Sequence, residues 1–278
     1  MSNAPPSDAA VPRCYFCGGH VRVRYTDQFH KVDATFGPFD FGECSDCGSG
    51  ITLNPPPVER LAEFYARYSE WRPDFYKSAG SELDAQYRSY ADRLLSLMPQ
   101  GSWLDVGGGY GEVANLLAKK RPNGMVVDIG PAPEGLRVPY RSLDLNGLNW
   151  NIPKADFVYS VAVLEHVLNP AQFIAQCAAL VRPGGTMVVI CPDYGSLARR
   201  VLGRKWPYYL PGEHLNVPSR KGARRCLARS GLSGIEVRSI AVGYNLRYAV
   251  AAAGMPVRVP DVSLPMPTGI LCATARAA

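Results

Sequence analysis

The sequence predicts an α/β fold in which a doubly wound sheet follows a small cysteine-rich segment and a helical linker. From residue 101 onwards, short apolar runs typical of buried strands alternate with helix-like runs. The last two strands are predicted at 235–241 and 270–275, and Asn169 followed by Pro170 predicts the start of a helix. The first of these strands, residues 103–106, turns into a helix through a glycine-rich stretch. Two Cys-x-x-Cys pairs lie near the start of the chain. With 278 residues, the chain is long enough for one sizeable core and a small appendage.

Composition divides the chain into four parts. Residues 1–12 have neither a basic start nor an apolar stretch, so we expect a disordered tail and no secretion signal. We then expect a ribbon at 13–53, a helical linker or lid at 54–100 and the α/β domain at 101–278. No apolar run approaches the roughly 18 residues that are needed to span a bilayer. The composition therefore predicts a cytoplasmic protein without a membrane span.

The cysteine pairs are the strongest signal in the first part. Cys14 and Cys17 form one pair, Cys44 and Cys47 form the other, and a glycine follows each pair. Four soft sulfur ligands on two tight turns suit tetrahedral zinc. The alternative is a redox pair, but a thioredoxin-type motif opens a helix and needs no second pair. Four thiolates fill the coordination sphere, so we expect structural Zn²⁺, and the segment resembles a zinc ribbon.

The linker begins with a stiff connector, Asn-Pro-Pro-Pro at 54–57. Apolar residues then recur at helical spacing in 58–68 and in 81–98, which predicts two helices. We expect their aromatic side chains to pack against the sheet; the alternative is a lid over a cofactor pocket.

Charge gives a weaker signal. The formal net charge is +6, which slightly favours anionic partners. Nine basic residues lie between 195 and 230 against the single acid Glu213. This cluster predicts either a solvated helix face or a surface that contacts an anion.

The glycine-rich turn narrows the function most. Gly107, Gly109 and Gly111 stand between the strand at 103–106 and the helix-like run at 112–120. A turn without side chains lets the backbone approach a ligand closely and aims the first amides of the helix at it. The turn therefore predicts a nucleotide-like cofactor.

Two cofactors fit this turn. Gly109, Gly111 and Ala114 can be written as a dinucleotide fingerprint, with Asp128 at the distance of a ribose-binding acid. Asp105, however, stands just before the glycines, where its charge would repel a pyrophosphate. The sulfonium and ammonium groups of S-adenosylmethionine are cations that a carboxylate attracts. The charge pattern therefore favours S-adenosylmethionine.

Four further segments follow the glycine turn in order. They are a strand-like run at 125–128, Leu-Asp-Leu at 143–145, and apolar runs at 156–167 and 180–190. With them, the chain resembles the class I S-adenosylmethionine-dependent methyltransferases over residues 101–278. The resemblance implies a Rossmann-like, seven-stranded doubly wound sheet with its last strand antiparallel, here preceded by the zinc ribbon and the helical linker.

The resemblance also implies a set of cofactor-binding residues. Asp128 would meet the ribose hydroxyls, and Asp144 the adenine amine, with Leu145 beside it. Asp105 and the glycines at 107, 109 and 111 complete the set. The chain departs from the family after Asp128, where Gly-Pro-Ala-Pro-Glu-Gly stands in place of a longer helix. We expect no regular helix there, because prolines do not fit a helix interior.

A hydroxyl acceptor would need a base with a pKa near neutrality, for which histidine is the natural candidate. His166 follows Glu165 at the carboxyl edge of the sheet, and we weigh catalysis against a structural role there. His214 lies in an aromatic loop at 206–216 that suits a small-molecule pocket. We expect His214 to be the base or a substrate contact, oriented by Glu213; the alternative is that it caps the following helix.

Three functions remain open at this point. The leading hypothesis is methyl transfer to a small molecule, at a hydroxyl of a sugar, glycan or secondary metabolite. An RNA base methyltransferase with a zinc ribbon is the second, although the ribbon holds few basic residues and the run at 156–167 lacks an Asn/Asp-Pro-Pro-Tyr-type motif. The third is a cofactor-binding or docking protein without catalysis. The sequence predicts no particular oligomeric state.

Overall fold

Two β-sheets organise the described part of the chain. The computed structural model describes residues 12–28, 37–66, 80–247, 250, 258–260 and 262–278. The strands, in chain order, are β1 (Val21–Asp27), β2 (Phe39–Cys44), β3 (Gly50–Thr52), β4 (Trp103–Val106), β5 (Gly124–Asp128), β6 (Tyr140–Ser142), β7 (Ala155–Val161), β8 (Val181–Pro192), β9 (Asn216–Val217), β10 (Ser233–Asn245) and β11 (Ser263–Arg276). The predicted tail up to residue 11 and the linker at 67–79 lie outside the described residues.

The helices connect these strands and flank the larger sheet. They are α1 (Val58–Ala66), α2 (Gly80–Leu97), α3 (Glu112–Ala118), α4 (Pro170–Ala179), α5 (Leu197–Leu202) and α6 (Arg220–Arg229), with a 3₁₀ turn at Gly203–Lys205. Among the described residues, the helices include none that is both long and apolar enough to cross a membrane.

The larger sheet has seven strands in the order β10-β11-β8-β7-β4-β5-β6. Strands β4 to β8 pair in parallel, whereas β11 runs antiparallel to both β8 and β10. The predicted seven-stranded sheet with an antiparallel last strand is thereby confirmed.

Helices cover both faces of this sheet. Neighbouring residues of a strand point to opposite faces, so consecutive residues of β4 contact different helices. Leu104 of β4 belongs to a buried apolar cluster with residues of α4 and α6. Trp103, one residue earlier, belongs to a second cluster with Leu94 of α2 and Leu117 of α3. The aromatic residue Tyr90 of α2 also lies in that second cluster, so α2 packs on the sheet as expected.

The cap residue and the proline that follows it mark the start of α4, as the sequence predicted. Asn169 caps α4, accepting a hydrogen bond from the backbone of Gln172, and Pro170 opens the helix. The last two strands are longer than the predicted 235–241 and 270–275. The first half of β11 was not predicted, because Pro265 and Pro267 are unusual in a strand. This half pairs with β10 alone, so it tolerates residues that lack an N–H donor.

The smaller sheet has the order β1-β2-β3-β9 and is antiparallel. Its first three strands lie in the predicted ribbon, but β9 follows β8 in the sequence and belongs to the predicted α/β domain. Gly50 pairs with Val217 and Ile51 with Asn216. The small sheet therefore contains strands from two of the predicted parts of the chain, which the sequence did not indicate.

Three of the nine basic residues of the cluster contact acids of the protein. Arg199 contacts Glu43 at 2.9 Å, Arg220 contacts Asp193 at 3.3 Å, and Arg204 contacts Asp27. Glu43 and Asp27 belong to the ribbon strands. Part of the cluster thus joins the ribbon to the rest of the chain.

Candidate active site

The glycine turn leaves β4 at the carboxyl edge of the sheet and leads directly into α3. Gly107, Gly109 and Gly111 have φ angles of +83°, +54° and +80°, which side chains disfavour. A Cβ atom on Gly107 would clash with Val163, whereas one on Gly109 would have no atom within 4 Å. Gly107 is required by packing, and Gly109 borders an open cradle.

Asp128 ends β5 beside this turn. Its Oδ2 accepts a hydrogen bond from the backbone of Gly109 at 2.6 Å, and its Oδ1 accepts one from Ile129 at 2.6 Å. Burial raises the pKa of Asp128, and the two amides oppose that shift. The structure thus brings two of the predicted cofactor residues together, while the role of Asp128 towards a ribose stays a prediction.

Asp105 lies beneath the glycine turn and is only 2% exposed. Its Oδ2 accepts a hydrogen bond from the hydroxyl of Tyr159 at 2.9 Å. A Cβ atom on Gly108 would approach this oxygen to 2.9 Å, so Gly108 is needed here too, which the sequence did not single out. Burial raises the pKa of Asp105 to about 8. A nearby cation would lower that pKa again, because it stabilises the carboxylate.

Asp144 and Leu145 follow β6 at the same edge. Leu143 donates its backbone N–H to the carbonyl of Asp128 at 2.8 Å, which ties this segment to the end of β5. The Asp144 side chain is exposed and accepts a hydrogen bond from the backbone of Asn146 at 2.9 Å, while Leu145 is half-buried. Both residues directly follow the part of this segment that pairs with Asp128, and their contact with an adenine stays a prediction.

A second group of candidate catalytic side chains lies after β7 and before β9. The rings of His166 and His214 are 4.8 Å apart and nearly perpendicular. Ligand atoms of Glu165, His166 and His214 lie within 4.8 Å of one another. Glu213 is buried and close enough to raise the pKa of Glu165. The three predicted catalytic residues are therefore brought together.

The orientation of the His214 ring follows from one contact. Its Nδ1 lies 2.8 Å from the backbone carbonyl oxygen of Tyr208. A carbonyl only accepts hydrogen bonds, so Nδ1 carries a proton, and Nε2 of the neutral ring is the atom that can accept one. The Tyr208 carbonyl is an orienting group that the sequence did not indicate; the expected orienting role of Glu213 stays a prediction.

Two further members of this group were not predicted. The hydroxyl of Tyr65, at the end of α1, lies 3.0 Å from Nδ1 of His166. Burial raises the pKa of Tyr65, and Glu213, Glu165 and Asp128 raise it further. Burial also raises the pKa of Glu165 to about 8, and none of the described residues hydrogen-bonds to its Oε2. Helical spacing gave Tyr65 the same weight as its neighbours, so no signal in the sequence set it apart.

The loop that carries His214 is held from several sides. We call residues 206–219 the post-β8 loop. Trp206 is buried and donates from its ring N–H to the carbonyl of Thr268 in β11 at 3.0 Å. Leu215 and Asn216 both donate their backbone N–H to the carbonyl of Glu165, at 2.7 Å and 3.1 Å. These two hydrogen bonds hold the segment that bears His166 beside the segment that bears His214.

The four cysteines converge at the ends of β1 and β2. Sγ of Cys14 is 3.6 Å from that of Cys47, and Sγ of Cys17 is 3.5 Å from that of Cys44. A disulfide needs about 2 Å. A tetrahedral ion with Zn–S bonds of about 2.3 Å holds its sulfurs about 3.8 Å apart. The donor set and its spacing therefore fit a four-thiolate metal site.

Comparisons with known proteins find methyltransferases. A family described as methyltransferase domain matches residues 79–237, which is more than half of the chain. The ubiquinone biosynthesis O-methyltransferase of Methylocella silvestris is 40% identical over 147 residues, which cover 49% of this chain and 51% of that protein. The enzyme of the same name from Dechloromonas aromatica is 34% identical over 146 residues, covering 49% and 62%. The matches thus span between half and two thirds of these relatives.

Solved structures share the fold at low identity. A methyltransferase from Thermotoga maritima superposes with a TM-score of 0.54 at 16% identity, covering 78% of this chain and 100% of that one. Human N-acetylserotonin methyltransferase, solved with S-adenosylmethionine, gives a TM-score of 0.54 at 15% identity, covering 80% and 60%.

Proposed function

Because this chain belongs to the methyltransferase-domain family, we propose that it transfers a methyl group from S-adenosylmethionine to an oxygen atom of a small organic acceptor. The observation that carries this proposal is the ring of His214, buried at the carboxyl edge of the sheet, where the contact of Nδ1 with a carbonyl makes Nε2 the nitrogen that can accept a proton. The O-methyltransferase names of the relatives support oxygen as the acceptor atom.

The cofactor site is assigned to the carboxyl edge of β4, β5 and β6. S-adenosylmethionine, when bound, supplies a methyl group on a positively charged sulfur. The glycine turn offers backbone amides and an open cradle at Gly109. Asp128 offers carboxylate oxygens that can accept from ribose hydroxyls, and Asp105 favours a positive charge nearby. Asp144 and Leu145 are assigned to the adenine side.

The acceptor site is assigned to the space beside His166 and His214. Nε2 of His214 takes the proton of the acceptor hydroxyl, and an electron pair on the oxygen forms the new bond to the methyl carbon. The carbon–sulfur bond of the methyl donor would break at the same time, and its electron pair would stay on sulfur, which leaves as a neutral thioether. The Tyr208 carbonyl stabilises the resulting imidazolium through Nδ1. Holding the two reacting groups in place is the larger part of such catalysis.

A polyhydroxyl acceptor, such as a sugar or a glycan, fits the polar groups around these histidines. Glu165 and Glu213 are both 1% exposed, and the hydroxyl of Tyr65 adds a donor. Burial raises the pKa of Glu165 to about 8, and a carboxyl group that holds a proton can donate to one hydroxyl and accept from another. These groups also suit hydroxylated secondary metabolites.

For the four cysteines we propose a structural zinc ion. Cys14, Cys17, Cys44 and Cys47 would fill its coordination sphere, so the metal would have no open position for a substrate. It would stabilise the small sheet around it and take no part in the chemistry.

His214→Ala tests the proposed function. In assays with radiolabelled S-adenosylmethionine and a panel of sugar nucleotides, free sugars and phenols, we expect kcat to fall by at least about a hundredfold, because the base is lost. The affinity for S-adenosylmethionine should change by less than about twofold. Asp128→Ala should instead weaken S-adenosylmethionine binding.

His20→Ala is the matched control, since His20 is exposed in the ribbon and should leave both quantities unchanged. An equal loss of cofactor affinity in His214→Ala and Asp128→Ala would refute this division of roles.

A further inference from the structure

The small sheet reaches the candidate active site through β9. Thr52 of β3 donates its backbone N–H to the carbonyl of Leu215 at 2.7 Å. On the other side, the N–H groups of Leu215 and Asn216 are bonded to Glu165. The residues directly after His214 are thus fixed between the ribbon and the segment that bears His166.

A polar chain joins the cysteine cluster to the end of the post-β8 loop. The hydroxyl of Ser49 is fully buried, 3.2 Å from Sγ of Cys47, and accepts a hydrogen bond from the backbone of Ser219 at 3.0 Å. The Ser219 hydroxyl donates to the carbonyl of Cys47 and caps α6 by accepting from Gly222 at 3.0 Å. The turn around Cys47 and the start of α6 therefore hold each other.

Aromatic packing makes a third connection. Phe41 of β2 meets the ring of Tyr209 edge-on at 5.2 Å and forms a buried cluster with Trp206 and Val217. Tyr209 also donates its hydroxyl to Asp27 of β1 at 2.6 Å. The post-β8 loop thus packs against β1 and β2 of the ribbon.

The glycine turn has a different support. Gly107 packs on Val163 and donates its backbone N–H to Val127, and Asp105 is held by Tyr159. These contacts belong to the large sheet and its loops. Loss of the ribbon should therefore affect the two halves of the site unequally.

We infer that the four-cysteine centre positions His214, with Ser49 and Ser219 as the positioning residues that connect the centre to the post-β8 loop. Metal removal then displaces the loop while the cofactor half of the site stays folded. The importance of this for catalysis rests on the proposed function, in which His214 is the base, but the coupling itself can be measured without any acceptor.

Hydrogen exchange on the full chain tests the inference. We expect that stripping the metal with a chelator speeds exchange in the post-β8 loop at least about tenfold, leaves residues 103–128 within about twofold, and keeps the affinity for S-adenosylmethionine within about threefold. Zinc added back should restore protection. Faster exchange confined to residues 13–53, or spread evenly over the chain, would overturn the inference, as would purified protein without bound metal.

A pair of serine variants separates positioning from metal binding. Ser49→Ala keeps all four thiolates, so we expect full zinc content together with faster exchange in the post-β8 loop. Ser45→Ala is the control, since Ser45 is exposed in the same turn and bonds to His20 rather than to the loop. Wild-type exchange of the loop in Ser49→Ala would overturn the inference. If the coupling is found but no acceptor is methylated, the proposed function fails and this inference stands.

Discussion

Asp105 is the buried carboxyl group whose ionisation should respond to a bound cation. Its carboxyl is 2% exposed, bonded to Tyr159, and has a pKa of about 8. At neutral pH the ligand-free protein therefore holds a proton there. A cation that contacts the carboxylate must displace this proton, so binding and ionisation are linked.

The affinity for S-adenosylmethionine should accordingly rise with pH between about 6 and 7.5, by at most about tenfold per pH unit, since one proton is released below the folded pKa. Calorimetric dissociation constants across this range measure the slope. Asp105→Asn should abolish it, and Asp92→Asn, at an exposed position of α2, should not. A flat profile in the wild type, or an unchanged slope in Asp105→Asn, would contradict this assignment.

The residue types at the site were readable from the sequence, but their contacts were not. Asp105 and Asp128 stand at strand ends, where a local pattern reveals them. The contact between His166 and His214 depends on how a long loop returns to the edge of the sheet. Tyr65 reaches His166 from a helix far away in the sequence, so spacing alone gave no reason to choose it.

Among the elements, the strand-turn-helix unit around the glycines was predicted best, because positive φ angles are a local demand. The cap of α4 at Asn169 was predicted for the same reason. Strand β9 was missed, since two residues carry no periodicity, and β11 was predicted too short because of its prolines.

The glycines of the turn should separate stability from binding. We expect Gly107→Ala to lower the free energy of unfolding by more than about 2 kcal/mol, because it adds a clash with Val163 to the cost of a positive φ. Gly109→Ala should cost about 1–2 kcal/mol for its positive φ alone and weaken S-adenosylmethionine binding about tenfold or more by filling the cradle. Denaturant unfolding and calorimetry measure the two effects.

Gly231→Ala is the control for the positive φ itself, since Gly231 has φ +77° and no atom within 4 Å of its added Cβ. It should match Gly109→Ala in stability and the wild type in binding. Equal cofactor affinity in both variants would argue against a cradle at Gly109.

On the scale of the whole molecule, the seven-stranded sheet with its antiparallel last strand was predicted from the alternation of strands and helices together with the family resemblance. The junction of the two sheets did not. It is made by β9, by Ser49 with Ser219, and by Phe41 with Tyr209, all of which join residues far apart in the sequence. Such contacts depend on tertiary packing, which a one-dimensional pattern does not encode.

The central claim is that the carboxyl edge of the large sheet holds S-adenosylmethionine. Calorimetric titration of the purified full chain measures this most directly. We predict that one molecule of S-adenosylmethionine binds per chain and that NAD⁺ gives no heat of binding. Binding of NAD⁺ without binding of S-adenosylmethionine would contradict the claim.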